Sequence, residues 1–580
     1  MIRTLRLLAC AATLSALSAV PVLSQTPGAA KKDALLKAMT QELQRSFAAL
    51  KAAEKPPLYF LAYEVTEEHG AEMSALLGAL VSESENHSRR LDVTARIGNP
   101  KLDSTHQMKG MEGWWEGSDS EALNIATDDD EASLRADLWL HTDKAYRNAR
   151  ERYTKVETNK AVTAEEEDKS DDFSKEAPAR SYDKAALPEF DREALRARLK
   201  RLSAAIKPYP FVINSQVSLS LEAANRYLVN SEGTEVVTGN RYLRLSYYMT
   251  GRTTDGMDLE RYESYDAERL EDFPSEEKIL ADIARSAAEL EALVKAPLVE
   301  PYAGPAIFKA RAAGVYFHEI LGHRLEGHRQ KLEEEGQTFK KKLGEKVTAD
   351  FLTIVDDATV SRYGDRFLRG SYRFDDEGVP SRPVNLIENG VLKGFLMSRS
   401  PIDGFPASNG HGRKSAGREV VARMGNTLVK ASKTVTYPKL RDMLINEIRR
   451  QKKPYGLIFD DISGGFTMTG RSGVQAFKVL PLLVYRVYPD GRPDEIVRGV
   501  DIVGTPLMSF TKIAAAADDY GIFNGTCGAE SGWVPVSAVS PSLLFSEIEV
   551  EKKLKFSEKP PVLPPPHHDP VSRNSQEGRP

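Results

Sequence analysis

The sequence predicts an α+β protein, in which an N-terminal α/β domain is followed by a β-rich C-terminal domain that carries a buried, kinked helix. The 580 residues exceed what one hydrophobic core usually serves, so two or more domains are expected. Amphipathic helical patterns alternate with β-like runs in the first half of the chain. Short β-like runs separated by Gly-rich turns fill the second half.

Residues 1–24 have the features of a secretory signal peptide. Arg3 and Arg6 precede an apolar run from Leu7 to Leu23, and a polar stretch follows. A basic segment, a short apolar segment and small residues near its end are typical of an export signal that is removed. We therefore expect an exported protein, periplasmic or secreted. A lipid anchor at Cys10 is the alternative, although little apolar sequence precedes that cysteine.

The N-terminal domain is predicted to span residues 25–296. Apolar periodicity predicts helices over 34–50, 133–160 and 275–295, and strands over 58–65 and 91–97. The β-branched and aromatic stretch 211–252 is interrupted at 230–233 and 238–240, which predicts a β-meander with turns at both places. The acidic stretch 163–184 predicts an exposed, mobile loop.

The C-terminal domain is predicted to span residues 297–555, because prolines at 297, 301 and 305 end the preceding helix. Its β-like runs lie at 351–355, 384–387, 457–459, 479–487 and 543–550. The tail 556–580 is rich in Pro and charge and is predicted to be disordered. A histidine pair, His567 and His568, lies in that tail.

Composition narrows the class of protein. Hydrophobic residues make up 41 % and charged residues 28 %, which is a soluble globular balance. The net charge of -5 gives no electrostatic reason to expect nucleic acid or an anionic membrane surface as a partner. No segment after the signal is apolar enough for a stable membrane span. Removal of the signal would leave Cys527 as the only cysteine, so no internal disulfide is expected.

The segment 314–327, which reads GVYFHEILGHRLEG, carries the main chemical signal. Its apolar residues predict a mostly buried helix, in which two histidines and a glutamate cost several kcal/mol unless paired or metal-bound. His318 and His323 have the side chains that bind Zn²⁺. Glu319 lies beside the first of them, where a carboxylate can take a proton from metal-activated water. The pattern therefore favours a hydrolase.

The spacing of the two histidines differs from that of the familiar H-E-x-x-H helix. His318 and His323 are five residues apart, and five residues of an ideal α-helix separate two side chains by about 140°. A local widening of the helix, such as a π-bulge, or a kink would bring them to one side. We predict such a distortion at Gly322. By itself, the H-E-x-x-x-H pattern is equally compatible with two histidines that bind no metal and lie in the core or at the surface.

A zinc site requires a third protein ligand, and three residues are candidates. Glu326 lies three residues beyond His323, His328 lies five residues beyond it, and Cys527 lies in a distant Gly-rich turn. A helix that bends at Gly322 is poorly placed to supply three successive ligands, which favours a ligand from elsewhere. A cysteine thiolate is also a strong zinc ligand.

The order of further segments resembles the TldD/PmbA family of metallopeptidases. The resemblance covers about residues 300–550, and the first half of the chain resembles the family only in general layout. Besides the helix motif, the resemblance rests on the segments 353–357, 369–378, 386–394, 423–427, 463–465 and 525–528.

This resemblance implies a zinc-dependent peptidase. In the family, the two motif histidines and a distant cysteine bind zinc, and the motif glutamate is the catalytic base. It therefore implies His318, His323 and Cys527 as ligands of one Zn²⁺ ion per chain, with iron as the alternative metal, and Glu319 as the base. It also implies a homodimer or a heterodimer with another family subunit, whose cavity admits extended, unfolded peptides. His328 has no counterpart in the family pattern.

Two other functions stay open at the level of sequence. The chain could be a non-catalytic binding or assembly subunit with a structural metal, or a hydrolase of a non-peptide amide. Two further segments bear on the site. Asp375–Gly378 is predicted to be a turn. The polar stretch 409–413 is predicted to be a solvated loop, whose His411 and Arg413 are candidates for stabilising an oxyanion.

Overall fold

The computed structural model describes residues 33–53, 56–108, 123–162, 167–332, 335–470, 477–504 and 506–553, with 561, 563 and 566. The predicted signal peptide, Cys10 and the tail histidines lie outside the described residues. Within the described part of the chain, no helix has both the length and the apolar character needed to cross a membrane.

The first half of the chain contains four α-helices and eight strands within the described ranges. The helices are α1 (Ala34–Ala53), α2 (Glu131–Val162), α3 (Arg192–Ala204) and α4 (Glu276–Lys295). The strands are β1 (Leu58–Leu76), β2 (Ala79–Asn99), β3 (Leu102–Asp103), β4 (Leu123–Asn124), β5 (Arg180–Asp183), β6 (Val212–Asn230), β7 (Glu235–Arg252) and β8 (Asp258–Ala267). A 3₁₀ turn covers Leu270–Asp272.

The second half is richer in strands. Its helices are α5 (Ala310–Ile320), α6 (His328–Lys331), α7 (Tyr437–Arg450) and α8 (Pro506–Thr511), and 3₁₀ turns cover Gly322–Leu325 and Lys340–Lys342. Its strands are β9 (Tyr302–Phe308), β10 (Leu352–Asp356), β11 (Arg362–Tyr363), β12 (Arg366–Phe367), β13 (Val384–Glu388), β14 (Val391–Leu392), β15 (Gly412–Arg413), β16 (Val421–Ala422), β17 (Asn426–Ala431), β18 (Gly456–Thr467), β19 (Phe477–Val487), β20 (Glu495–Val497), β21 (Val500–Val503), β22 (Ile513–Ala529) and β23 (Gly532–Lys552).

The N-terminal strands form one sheet with the central order β3-β2-β1-β6-β7-β5, in which β4 pairs with β2 and β8 with β7. Buried and less buried residues alternate along β6 and β7, as expected for strands that bury one face. Two apolar clusters lie on the buried face. One includes Val65 and Leu91 with residues of α1 and α2, and the other includes Leu243 with residues of α3 and α4. The predicted helices and the β-meander are confirmed.

Two predictions for this half were wrong. No turn occurs at 238–240, because β7 runs through Gly239 and pairs it with Asn225 of β6. The glycine instead allows a close approach of another segment, since a Cβ there would lie 2.1 Å from the backbone nitrogen of Ala185. The described part of the acidic stretch is not an exposed loop, because Asp168 and Asp172 are buried and accept hydrogen bonds from distant segments.

The C-terminal strands form an eleven-stranded sheet with the main order β14-β13-β10-β17-β23-β21-β19-β18-β9. Its largest apolar cluster includes nearly every apolar residue of α5, which packs against β23, β18 and β22. Gly314 allows this contact, because a Cβ there would lie 3.2 Å from the carbonyl oxygen of Ala538 on β23. The predicted α+β fold class is confirmed, and the sheet fixes the position of α5.

A buried ion pair connects the two halves. Nζ of Lys414 lies 2.5 Å from Oδ2 of Asp92 on β2, and Oδ1 of Asp92 accepts a hydrogen bond from the backbone N–H of Gly417. Nζ of Lys414 also lies 3.5 Å from Glu64 on β1. The N-terminal sheet is therefore joined by charged contacts to the loop that follows β15.

Candidate metal centre

The helix that carries the histidine motif changes geometry within the motif. Helix α5 ends at Ile320, and a 3₁₀ turn begins at Gly322 and contains His323. The predicted kink is confirmed, but the turn is tightened rather than widened, so no π-bulge is present here. Nη1 of Arg324 donates to the carbonyl oxygen of Ile320 at 3.1 Å, which satisfies one of the acceptors left at the helix end.

Close packing keeps a side chain out of this turn. A Cβ on Gly322 would lie 1.9 Å from Sδ of Met424. Glycine at this position therefore leaves the space that the side chain of Met424 fills. This packing places His323 opposite β22.

The kink brings three predicted residues together. The rings of His318 and His323 have centroids 5.2 Å apart and an interplanar angle of 79°. Sγ of Cys527, on β22, lies 3.3 Å from Nε2 of His323. One ligand atom from each of the three residues lies within 4.8 Å of the other two, and all three side chains are buried.

The electrostatics of this group are those of a thiolate between cations. Burial alone would raise the pKa of the Cys527 thiol, but the two imidazoles and Arg423 hold it well below its ordinary value. Burial would lower the pKa of His323, but the thiolate and Glu326 raise it well above the usual value. A thiolate and two imidazoles are soft and intermediate ligands, which suit zinc.

The spacing of these donors also fits a zinc ion. Zn–N bonds of about 2.0–2.1 Å and a Zn–S bond of about 2.3 Å place nitrogen and sulfur about 3.5 Å apart in a tetrahedral site. The 3.3 Å between Sγ of Cys527 and Nε2 of His323 agrees with this distance. Nδ1 of His318 is buried and has no hydrogen-bond partner among the described residues.

Glu319 lies next to His318 and is also buried, with 8 % of its surface exposed. Burial raises the pKa of its carboxyl group above the ordinary value, while the two imidazoles oppose that change. The backbone of Gly465 on β18 also opposes the rise in the pKa of this carboxyl group. The geometry thus places a proton acceptor with a raised pKa beside the three donors.

The other two candidates for the third ligand do not join the group. Oε1 of Glu326 lies 3.2 Å from Nδ1 of His323, on the side of the ring that faces away from Cys527, and its other oxygen accepts from Arg329. Nε2 of His328 lies 2.5 Å from Oε1 of Glu530. Glu326 therefore orients His323 rather than joining the three donors.

Sequence reasoning missed the residues that surround the donors. Nη2 of Arg423 donates to Sγ of Cys527 at 3.1 Å, and Arg329 donates to both Glu326 and Glu530. Arg423 begins one of the segments on which the family resemblance rests, and Glu530 lies at the end of the Gly-rich turn that contains Cys527. Neither segment indicated which of its residues would face the centre, because those contacts depend on how the strands pair.

The remaining candidates have structural roles in this fold. Asp375–Gly378 forms the predicted turn, in which Asp375 accepts from the backbone N–H groups of Glu377 and Val379. The stretch 409–413 is not a solvated loop. His411 is fully buried 3.2 Å from Asp356, and Arg413 donates to two carbonyl oxygens. Neither candidate for stabilising the oxyanion is therefore placed in an open loop.

Part of the chain is similar to known metalloproteases. Residues 302–552 match the family described as the PmbA/TldA metallopeptidase C-terminal domain. A metalloprotease TldD homolog of Haemophilus influenzae is 32 % identical over 268 residues, which are 45 % of this chain and 51 % of that protein. A zinc metalloprotease TldD homolog of Saccharolobus solfataricus is 27 % identical over 43 % of this chain and 52 % of its own length. The chain thus spans about half the length of these relatives.

A solved structure shares the fold of both halves. TldE from Thermococcus kodakarensis superimposes with a TM-score of 0.56 at 14 % identity, covering 89 % of this chain and 100 % of that one. This likeness extends to the N-terminal half, outside the region that matches the metallopeptidase domain. Residues 302–552 are thus similar to the C-terminal domain of a PmbA/TldA metallopeptidase family, and the chain shares its fold with TldE.

Proposed function

We propose that the chain is an exported, zinc-dependent peptidase that hydrolyses unfolded or extended peptides. The observation that carries the proposal is the convergence of His318, His323 and Cys527 in one buried group, with the carboxylate of Glu319 beside it. The zinc metalloprotease relative supports the choice of metal, with iron as the alternative. The family match supports peptide hydrolysis as the class of reaction.

In this proposal, His318, His323 and Cys527 would hold one Zn²⁺ ion, which when bound polarises a carbonyl group and acidifies water. Glu319 accepts a proton from the attacking water and then donates it to the departing amine. Burial raises the pKa of the Glu319 carboxyl group, which strengthens it as a proton acceptor.

The surroundings of Glu319 favour a peptide over a small polar substrate. Phe466 and Met468 follow Gly465 on and after β18 and are 52 % and 54 % exposed. Exposed apolar side chains of this size offer contacts for apolar side chains of an extended chain. Arg324 donates to the carbonyl oxygen of Met468 at 3.1 Å and so fixes this segment against the motif helix.

We also propose that the chain acts as a homodimer or as a heterodimer with a second subunit of the same family. Its fold likeness to TldE, at low identity, supports a partner of that fold. Export to the periplasm or the medium is proposed from residues 1–24. Fractionation of cells that express the full chain tests export.

A non-catalytic subunit with a structural metal is less well supported. Structural zinc sites have four protein ligands, whereas three donor side chains converge in this group of described residues. Hydrolysis of a non-peptide amide would use the same centre. A chelator-sensitive screen of unstructured peptides and of modified amides distinguishes the two substrate classes.

The decisive comparison is between wild type, Glu319→Gln and Cys527→Ser, each offered unstructured peptides after metal analysis. We expect Glu319→Gln to keep the wild-type zinc content and lose about 10²- to 10⁴-fold in turnover. Cys527→Ser should lose the metal of this centre and the activity. Glu289→Gln is the control, since burial also raises the pKa of this carboxyl group, on α4. Retained turnover in Glu319→Gln would refute its role as the base.

A further inference from the structure

The N-terminal domain carries a second group of metal-ligating side chains. Glu67 and His69 lie on β1, and His87 lies on β2 directly opposite His69 in the antiparallel register. Residues two apart on a strand point to the same face of a sheet, so the three side chains share one face. They belong to a different domain from His318 and the other proposed zinc ligands.

The donor atoms of this group are already close to one another. Nε2 of His87 lies 3.4 Å from Oε1 of Glu67, and Nε2 of His69 lies 4.0 Å from the same oxygen. The two imidazole rings stack with centroids 4.0 Å apart and an angle of 15°. Ligands with bonds of about 2.0–2.1 Å lie about 3.3 Å apart in a tetrahedral site, which the distance between His87 and Glu67 matches. The ring of His69 must turn out of its stack with His87 to direct Nε2 at a shared ion.

An open cavity gives an ion access to this group. It has a volume of about 570 Å³ and lies over the part of β1 and β2 that contains Glu67, His69 and His87. The apolar cluster with Val65 and the apolar cluster with Ala71 lie on either side of it along β1. The cavity is therefore a polar gap in an otherwise apolar sheet face, where buried polar side chains need partners.

The charges around the group add up in favour of a cation. Glu67 is buried and accepts from Nε of Arg89 at 2.8 Å, and Nζ of Lys184 lies 3.4 Å from its other oxygen. Each of these cations has a second carboxylate partner, since Arg89 donates to Asp129 at 2.7 Å and Lys184 lies 3.5 Å from Asp33. Three carboxylates thus face two cations, and the net charge of these five side chains is negative.

We propose that Glu67, His69 and His87 form a second metal site, which binds a divalent transition metal ion such as Zn²⁺. Two imidazoles and one carboxylate are a ligand set that zinc, nickel and copper accept. With three protein ligands, the remaining coordination positions face the cavity and are open to water or a small anion. The bound ion links β1 to β2 within the N-terminal sheet.

This site can be measured separately from the proposed catalytic centre. The full chain without an affinity tag, with Cys527→Ser and with His567 and His568 changed to alanine, is titrated with Zn²⁺ alone by calorimetry. We expect this parent to bind one equivalent. Adding His69→Ala and His87→Ala should abolish that binding or weaken it at least tenfold. His141→Ala is the matched control, since it removes a histidine of the same domain, on α2, from outside the group.

Thermal unfolding is a second measurement, which distinguishes loss of the metal site from loss of the fold. His69 and His87 are partly exposed, and thermal unfolding without metal checks that each variant keeps its structure. Zn²⁺ should raise the unfolding midpoint of the parent but not that of the parent with His87→Ala alone. The proposal is overturned if the parent takes up no Zn²⁺, or if the variant without both histidines binds it as tightly as the parent. Either result assigns the stacked histidines to sheet packing only.

Discussion

The guanidinium group of Arg423 contacts two atoms of Cys527, its sulfur and its carbonyl oxygen. Its Nη2 lies 3.1 Å from Sγ and 2.8 Å from the carbonyl oxygen of Cys527. Nε of Arg423 lies 3.3 Å from Oε1 of Glu326. The same carboxylate oxygen lies 3.2 Å from Nδ1 of His323. One fully buried arginine therefore supports two of the three proposed zinc ligands from behind.

Replacing this arginine should weaken metal binding while leaving all three ligands in place. We expect Arg423→Gln to lower zinc affinity about 10- to 100-fold, as is typical when a group that orients a ligand is lost. Competition with a chelator of known affinity measures the change. Arg399→Gln is the matched control, because Arg399 is equally buried but contacts Ser174 and Glu232 instead. Equal zinc affinities in the two variants would contradict the role of Arg423.

The glycine at the kink should not tolerate a side chain. Gly322→Ala would place its Cβ against Sδ of Met424, and overpacking of this kind costs about 1–3 kcal/mol in the free energy of unfolding. Met424→Ala removes the clash and leaves a cavity. If the contact is the cause, the double variant will be more stable than the sum of the two single losses predicts. Strict additivity in urea unfolding would assign the cost of Gly322→Ala to another source.

The ion pair between the two halves should matter for stability. Lys414→Met leaves the buried carboxylate of Asp92 without its cation, and breaking a buried pair in this way costs about 3–5 kcal/mol. Urea unfolding measures the loss. Lys393→Met is the control, since Lys393 is exposed and its nearest carboxylate is 3.8 Å away, so a change within about 0.5 kcal/mol is expected.

Stability should depend on pH through the turn at Asp375. Burial, together with the charge of Glu377, raises the pKa of Asp375 to about 8 from its ordinary value of 3.8, and burial also raises that of Glu377. The folded state therefore binds these protons more tightly than the unfolded state. Their contribution to the free energy of unfolding is fully present below pH 3.8 and is lost as the pH rises to about 8.

Glu377→Gln removes one of the two carboxyl groups and lowers the proton affinity of the other. The decline in stability between pH 4 and pH 8 should become shallower, by about 1.4 kcal/mol for each tenfold loss of proton affinity. Denaturant midpoints across this range measure it. Glu388→Gln, at an exposed position, should leave the slope unchanged. An unaltered slope in Glu377→Gln would show that this turn does not titrate as expected.

Periodic patterns predicted the elements that bury one face. Helix α4 follows its predicted range, with Ser275 capping the first turn, and the strands around 58–65 and 91–97 extend as β1 and β2. The kink at Gly322 followed from the five-residue spacing alone. The form of the kink did not follow from the spacing, because it depends on contacts that the spacing does not show, those of Arg324 with Ile320 and of Gly322 with Met424.

Contacts between distant segments explain most of the errors. The acidic stretch was predicted to be exposed from its charge, yet Asp172 accepts from the backbone of Asp103 and contacts His106 at 2.7 Å. The stretch around His411 was predicted to be solvated from its polarity, yet its partner Asp356 lies 55 residues away. Choosing Cys527 over Glu326 also required the family resemblance, because spacing along the chain does not show which strand faces a helix.

The proposed ligands are separated by 204 residues, and this distance has a consequence during synthesis. His318 and His323 leave the ribosome long before Cys527, whose strand β22 is then held by pairing with β23, completed last. A nascent chain therefore has His318 and His323 but not Cys527, and it lacks the third proposed ligand that a catalytic zinc site needs. The proposed metal site can therefore be completed only after β22 and its partner β23 have been synthesised.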